Sequence, residues 1–337
     1  MSSSPIDVAL IGAGRIGVIH AGNVARHPAA RLRVVVDPNR AAAERLAQRH
    51  GAQVGDDPFA AINDPSVRAM VICSPTNLHV EHITAAARAG KAIFCEKPID
   101  LDLRRVDTCI DEVRKAGVPV FIGFNRRFDP SFRALHDQLR AGAIGRLEKV
   151  TIISRDPRPP PPSYAAVSGG IFRDMTIHDF DMARWLLGEE PTEVFASGSS
   201  LVDPEIGRAG DYDTAMVVLR TPSGKLAHIQ NSRRAVYGYD QRIEVFGEKG
   251  MLQAGNRVAT TVSRWDERGV VADKPLDFFL ERYAEAYRLE IDHFFDAICS
   301  GRPPAPGARD GRQALVIADA ALESAKSGRL VRIHADV

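Results

Sequence analysis

Between Ile6 and Phe124 one pattern repeats: short runs apolar from end to end, IDVALIG, RLRVVVD, RAMVICS, KAIFCE and PVFIGF, alternate with segments of helical periodicity such as AAAERLAQRHG and HVEHITAAARAG. A strand with one wet face alternates apolar with polar residues, so a run that stays apolar is a strand covered on both faces. Helical segments between such runs supply the crossovers that parallel strands require. The pattern predicts a doubly wound α/β domain over residues 1–124.

Directly after the first run stands GAGRIG, with Gly12, Gly14 and Gly17 at the head of a helix that carries Ile16, Ile19 and Val24. In a strand-turn-helix context each glycine has a task. Gly12 permits the tight turn, Gly14 lets the backbone approach a pyrophosphate, and Gly17 lets the helix pack on the sheet. The anion then meets free N–H groups and the positive end of the helix dipole. Asp37 ends the second strand, where an acidic residue accepts hydrogen bonds from the ribose hydroxyls of NAD and repels the 2′-phosphate of NADP. The spacing predicts a Rossmann dinucleotide site built from Gly12, Gly14, Arg15, Ile16, Gly17 and Asp37, with NAD favoured. Two alternatives stay open at this stage: Asp37, followed by Pro38 and Asn39, caps the next helix, or Arg40 accommodates a 2′-phosphate.

After Asn125 the pattern changes. A helix at about Pro130 to Arg140 precedes a strand around Glu148 to Ser154. RDPRPPPPSY then reads as a long extended loop, and a helix is expected from about Asp174 to Leu187. TAMVVLR and KLAHIQNSR, joined by TPSG, read as neighbouring strands, with EVFG next. Residues 125–337 are expected to form an α+β domain with a mostly antiparallel open sheet, for substrate binding and oligomerisation. The two last helical patterns, RYAEAYRLEIDHFFDAI and DGRQALVIADAALESAKSG, complete that domain or pack back on the first.

The 337 residues exceed one ordinary core, which agrees with two domains. With 45% hydrophobic residues, 26% charged residues and a formal charge of +1, the composition gives no electrostatic case for nucleic acid or a membrane as partner. Cys73, Cys95, Cys109 and Cys299 lie far apart without metal-ligand or disulfide spacing. No secretory leader or long apolar span is legible, so a cytoplasmic protein acting on a small soluble ligand is expected.

Three further stretches, SPTNLH from Ser74, EKP from Glu96 and DMTIHDFD from Asp174, together with GAGRIG, resemble the glucose-fructose oxidoreductase/inositol dehydrogenase family in the family's order. The string SGGIFRDMTIHDFDMARWLLGEEP, preceded by FNRRFDP and RDPRPPPPSY, is most similar to its inositol-oxidising members. The resemblance implies oxidation of myo-inositol at carbon 2, with hydride passing to NAD. Another cyclitol or a pyranose is the alternative substrate, and a non-catalytic dinucleotide sensor the alternative class. It also implies a homotetramer formed by open sheets packed face to face.

By that resemblance Lys97 lies near the nicotinamide and the reacting carbon, where its ammonium favours the alkoxide-like charge that grows as hydride leaves. Asp174 and His178, four residues apart, are expected on one helical face. Spacing alone reads them as a cap and a structural histidine. The resemblance makes Asp174 a substrate-binding carboxylate and His178 the general base, an imidazole being suited to take a hydroxyl proton at neutral pH. Ser74, Pro75, Thr76 and Glu96 are implied near the cofactor, and Arg127, Asp156 and Tyr237 near the polyol hydroxyls. Arg127 reads equally as a partner of Asp129, and Tyr237 as a turn aromatic. No metal site is expected, because the helical spacing of His178, Asp179 and Asp181 does not converge their side chains.

Overall fold

A computed structural model describes residues 4–333. By its contacts the chain forms two compact units. One comprises the residues through Asn125 together with Ala286–Gln313, and the other comprises Arg126–Glu285 with the residues from Ala314 on.

In the first unit, β1 (Ile6–Ile11), α1 (Arg15–Arg26), β2 (Ala30–Val36), α2 (Arg40–His50), β3 (Gln53–Gly55), α3 (Pro58–Asn63), β4 (Ala69–Ile72), α4 (His79–Arg88), β5 (Ala92–Cys95), α5 (Leu103–Ala116) and β6 (Val120–Ile122) alternate as the apolar runs require. The strands form one parallel sheet in the order β3-β2-β1-β4-β5-β6. The run after Arg68 becomes β4, with all four residues at 0% exposure. Each fully buried large aliphatic or aromatic side chain contributes roughly 1.5–3 kcal/mol. Strand order reverses between β1 and β4, so a crevice opens outside the carboxyl ends of these strands, where a doubly wound sheet binds its ligand. A late helix, Ala284–Ser300, supplies the rest of this core: the Phe294 ring meets Phe94 edge-on at 5.9 Å and Phe121 at 6.3 Å.

In the second unit, α6 (Pro130–Arg140) is capped by Asp129, which accepts from the N–H groups of Ser131 and Phe132. There follow β7 (Leu147–Arg155), α7 (Pro162–Ser168), α8 (Gly170–Asp174), α9 (Thr176–Leu187), β8 (Glu193–Ser199), α10 (Pro204–Arg208), β9 (Thr214–Arg220), β10 (Leu226–Ser232), β11 (Asp240–Gly247) and β12 (Gly250–Ala254). Then come the ribbon β13 (Ser263–Asp266) and β14 (Gly269–Ala272), α11 (Phe279–Arg282), the Ala284–Ser300 helix (α12) and α13 (Ala308–Ser327), of which Ala286–Gln313 belongs to the first unit, and β15 (Val331–Arg332). The main sheet runs β12-β11-β7-β10-β9-β8-β15. Its pairs are antiparallel except β7 with β10, which are parallel, so the sheet is mixed. Residues alternate strictly along β9: Ala215, Val217 and Leu219 are buried on the side that α9 covers, whereas Met216 and Val218 are exposed.

Two local expectations need correction. The Pro-rich stretch ends in helix: α7 opens at Pro162, in the first helical turn, where an N–H has no carbonyl partner and proline fits. The helix expected from Asp174 starts at Thr176, and Asp174 closes the separate short helix α8, with Met175 as the joint. Asp174 and His178 therefore do not share one continuous helix.

Candidate active site

The glycine turn is set by contacts that a side chain would destroy. Gly12 has φ +101°, and a Cβ there would lie 2.4 Å from the Cys73 carbonyl oxygen. A Cβ on Gly17 would lie 1.9 Å from the Gly12 carbonyl oxygen, so Gly17 makes room for the turn itself. A Cβ on Gly14 would meet nothing within 4 Å, leaving open space at the head of α1 for a pyrophosphate. Arg15 is exposed and Ile16 half-buried in the first turn.

Asp37 follows β2 and its carboxylate accepts from the N–H of Ala13 at 2.6 Å and of Asn39 at 2.7 Å. The cap of α2 is Asn39, which accepts from Ala42, so the capping alternative falls to the neighbouring residue. An ionised carboxylate offers about four lone-pair sites. Two remain for the hydroxyls of a ribose, so the residues fit an adenosine diol. The Arg40 guanidinium is engaged elsewhere, with Glu44 at 2.9 Å and with Asp56.

At the ends of β4 and β5 the two other cofactor motifs are joined. The His79 ring lies with one nitrogen 2.8 Å from the Ser74 carbonyl and the other 2.8 Å from the Pro98 carbonyl. It thereby ties the segment of Ser74, Pro75 and Thr76 to the segment of Glu96 and Lys97. Ser74 Oγ and His82 Nδ1 lie 3.1 Å apart. Glu96 accepts at 2.7 Å from His20 Nε2, and Lys97 is half-buried beside it.

In the second unit Asp156 and Asp174 are brought together by a residue that sequence reasoning missed. The buried Arg233 donates from Nη2 to Asp174 at 3.1 Å and from Nη1 to Asp156 at 3.3 Å. Tyr164 donates to the other oxygen of Asp174 at 3.1 Å. Asp174 is thus no helix cap. Burial pushes the Asp156 carboxyl up, against the pull of Arg233. Such a group offers carboxylate acceptors held around one guanidinium, chemistry matched to a ligand rich in hydroxyl donors. His178 stands half-buried in the first turn of α9.

The α9 helix is fixed on the sheet by polar contacts, also absent from the sequence reading. Arg126 donates to Asp179, Asn231 donates to Asp179 at 2.8 Å, and Thr176 donates to Asn231 at 2.8 Å. Arg127 is buried and gives Nε and Nη2 to Asp181 at 2.8 and 2.6 Å. The Asp129 partner considered for it from sequence pairs instead with Arg282.

Tyr237 is directed away from the Asp156 and Asp174 group. Its hydroxyl donates to Asp240 at 2.6 Å and accepts from Arg155 at 2.8 Å. Asp240 and Arg155 are cross-strand partners one residue out of phase with Gln241 and Ser154, whose side chains join the Arg126 network on the α9 side. Gly238, at φ +122°, breaks the alternation before β11, and Tyr239 is buried in the unit's interior, edge-on to the also buried Tyr283.

A glycine turn at the switch of a parallel sheet, with an acidic residue after β2, defines a dinucleotide-binding domain, and the chain belongs to the GFO/IDH/MocA family of oxidoreductases. Residues 6–124 match that family's NAD-binding Rossmann fold, and residues 132–253 match the GFO/IDH/MocA C-terminal domain. Over 328 residues the chain is 50% identical to the myo-inositol 2-dehydrogenase of Thermotoga maritima, covering 97% of this chain and 98% of that one. It is similar in structure to a myo-inositol dehydrogenase from Corynebacterium glutamicum, with TM-score 0.94 and 45% identity over 98% of this chain and 100% of the other. A scyllo-inositol dehydrogenase from Lactobacillus casei with bound NAD(H) and scyllo-inositol gives TM-score 0.90 and 29% identity, over 98% and 99% of the two chains.

Proposed function

We propose that this chain oxidises myo-inositol at carbon 2 to the keto-inositol, with NAD as oxidant. The observation that carries the reading is the identity of half the residues, over nearly the whole length, with a myo-inositol 2-dehydrogenase. The bound nicotinamide supplies the hydride acceptor. His178 takes the proton of the reacting hydroxyl, the Lys97 ammonium donates to the oxygen on which charge grows, and Asp174 and Asp156, held by Arg233, accept from ring hydroxyls. Arg127 acts near the polyol through its hold on Asp181. A second reading, another cyclitol, is favoured by the likeness to the scyllo-inositol dehydrogenase. Mixing protein and NAD with a panel of cyclitols and aldoses, and following NADH absorbance, decides between them. Myo-inositol is expected to give the highest kcat/KM. A higher value for another cyclitol or a pyranose would select the alternative, and NAD binding without turnover of any polyol would sink the catalytic reading.

Cofactor choice gives a separate expected result. The Asp37 carboxylate accepts from the ribose diol of NAD and faces the 2′-phosphate of NADP with like charge, while Arg40 is occupied by Glu44 and Asp56. A penalty of roughly 2–3 kcal/mol gives on the order of a hundredfold preference for NAD. Asp37→Ser should narrow the NAD/NADP ratio of kcat/KM, chiefly by weakening use of NAD. Equal use of both cofactors by the wild type, or an unchanged ratio in the variant, would remove Asp37 from the role.

We further read the chain as a cytoplasmic homotetramer. No helix among the described residues is long and apolar enough to cross a membrane, and Cys73, Cys95, Cys109 and Cys299 are free thiols, as suits a reducing compartment. The uncovered face of the large sheet carries Phe195, Met216, Val218, Leu226, Phe246 and Met251, all exposed, an apolar surface suited to the same face of a second copy. Light scattering should give four times the chain mass. Met216→Lys combined with Val218→Lys should lower it, and a monomeric wild type would refute the assembly.

A further inference from the structure

The first unit buries a cluster that the proposed chemistry leaves unused. His20 on α1 and Glu290 on α12 are both 0% exposed, and Glu96 follows β5 directly before Lys97. His20 Nε2 lies 2.7 Å from Glu96 Oε1 and 3.9 Å from Glu290 Oε1, and one ligand atom from each residue falls within 4.8 Å of the others. Among the described residues neither oxygen of Glu290 has a hydrogen-bond partner, nor does His20 Nδ1. The imidazole is packed edge-on between the rings of Phe94 at 4.7 Å and Tyr287 at 5.8 Å. Behind Glu96, Gly123 leaves a gap in which a Cβ would stand 3.1 Å from the carboxyl carbon.

A His and two Glu at this spacing invite a metal. Yet two ligands on one tetrahedral zinc at about 2.0–2.1 Å sit roughly 3.3 Å apart. The 2.7 Å separation of His20 and Glu96 is a hydrogen bond instead. A second N–H on His20 would be buried without an acceptor, so the ring is neutral, with its one proton on Nε2 and donated to Glu96. An ionised Glu290 would be a buried charge with no donor beside a second carboxylate, among the costliest arrangements a protein interior offers. Burial first, and the Glu96 charge second, push the Glu290 carboxyl well above the usual carboxylate range.

We propose that His20 and Glu290 are positioning residues for the nicotinamide end of the dinucleotide site: a neutral imidazole backed by a neutral carboxylic acid clamps the Glu96 carboxylate, and through it the strand end that carries Lys97. The inference rests on the reading that Glu96 and Lys97 serve the cofactor. The clamp reaches from the helix after the glycine turn to the end of β5, and α12 closes it from behind. Pinning Glu96 by a hydrogen bond on one side and the bare backbone of Gly123 on the other leaves its carboxylate one orientation, the kind of support that a reacting constellation needs.

The test uses the NAD-bound full chain with Glu290→Ala, Glu290→Gln and His20→Phe. At neutral pH the infrared difference spectrum of wild type against Glu290→Gln should contain the carbonyl stretch of a protonated carboxyl group. Nitrogen NMR should give His20 as the Nε2–H tautomer. Glu290→Ala and His20→Phe should lower kcat by roughly ten- to a hundredfold, with KM for the polyol little changed. Glu290→Gln, which keeps the shape of the neutral acid, should recover most of that loss. A missing carbonyl band, a His20 imidazolium or stoichiometric metal in the purified holoprotein would overturn the assignment. So would a Glu290→Gln protein no better than Glu290→Ala. Should Glu290→Ala fail to fold, the two spectra and the Gln variant still decide. If the wild type turns over no polyol, the function reading falls while the spectra still judge the clamp.

Discussion

Replacing His178 with alanine is expected to lower kcat/KM by about 10²–10⁴, the span over which a positioned general base acts. The residue stands in the first turn of α9, and α9 is held to the sheet by Asp179 through Arg126 and Asn231. Those contacts do not involve the imidazole, so the variant should fold and bind NAD as the wild type does. The sharper reading is the pH profile. Wild-type kcat/KM should fall on the acid side, because a protonated base cannot accept the hydroxyl proton, and in the variant that limb should flatten. A variant with its acid limb unchanged would shift the role of base to Lys97.

For Lys97 the expected result is a split between binding and chemistry. Lys97→Ala should keep its affinity for NAD, measured by fluorescence titration, and lose about 10² or more in kcat, which corresponds to about 2.7 kcal/mol of transition-state stabilisation. The segment on either side of Lys97 is held by other side chains. His79 spans the Ser74 and Pro98 carbonyls, and Glu96 is held by His20. Alanine at this position removes the donor while leaving those two holds intact. Near-normal kcat would move the chemistry elsewhere.

Most of the first unit's sheet could be read from sequence because strands such as β4, β5 and β6 are covered on both faces, a condition that writes itself as an unbroken apolar run, whereas β3, exposed at Gln53, leaves no such run. The glycine turn was equally legible, since the Gly12 turn and the close approach of Gly17 to it tolerate no side chain. In the second unit the signals are weaker. The break at Met175 interrupts a periodic pattern without any proline or glycine at the joint, so DMTIHDFD looks like one helix. Arg233 and Arg234 are neighbours of one type, one buried between two aspartates and the other exposed, and only the side of the chain on which each falls separates them. The alternation is likewise broken at Gly238, so no local pattern shows that Tyr239 is buried while Tyr237 is exposed. Buried ion pairs such as Arg126 with Asp179 and Arg282 with Asp129 bring together residues 53 and 153 positions apart, which no local pattern encodes.

The return of α12 to the first unit has a consequence for synthesis. Phe294, Phe295 and Ile291 are fully buried, and Phe294 packs on Phe94 and Phe121. The six-stranded sheet therefore leaves the ribosome without one of its covering helices, and the whole intervening segment, residues 126–285, must be translated before that helix arrives. At roughly 5–20 residues per second the delay is on the order of ten to thirty seconds. During it the aromatic surface of Phe94 and Phe121 lacks the cover of Phe294, and a chain stalled at that point is expected to aggregate first there.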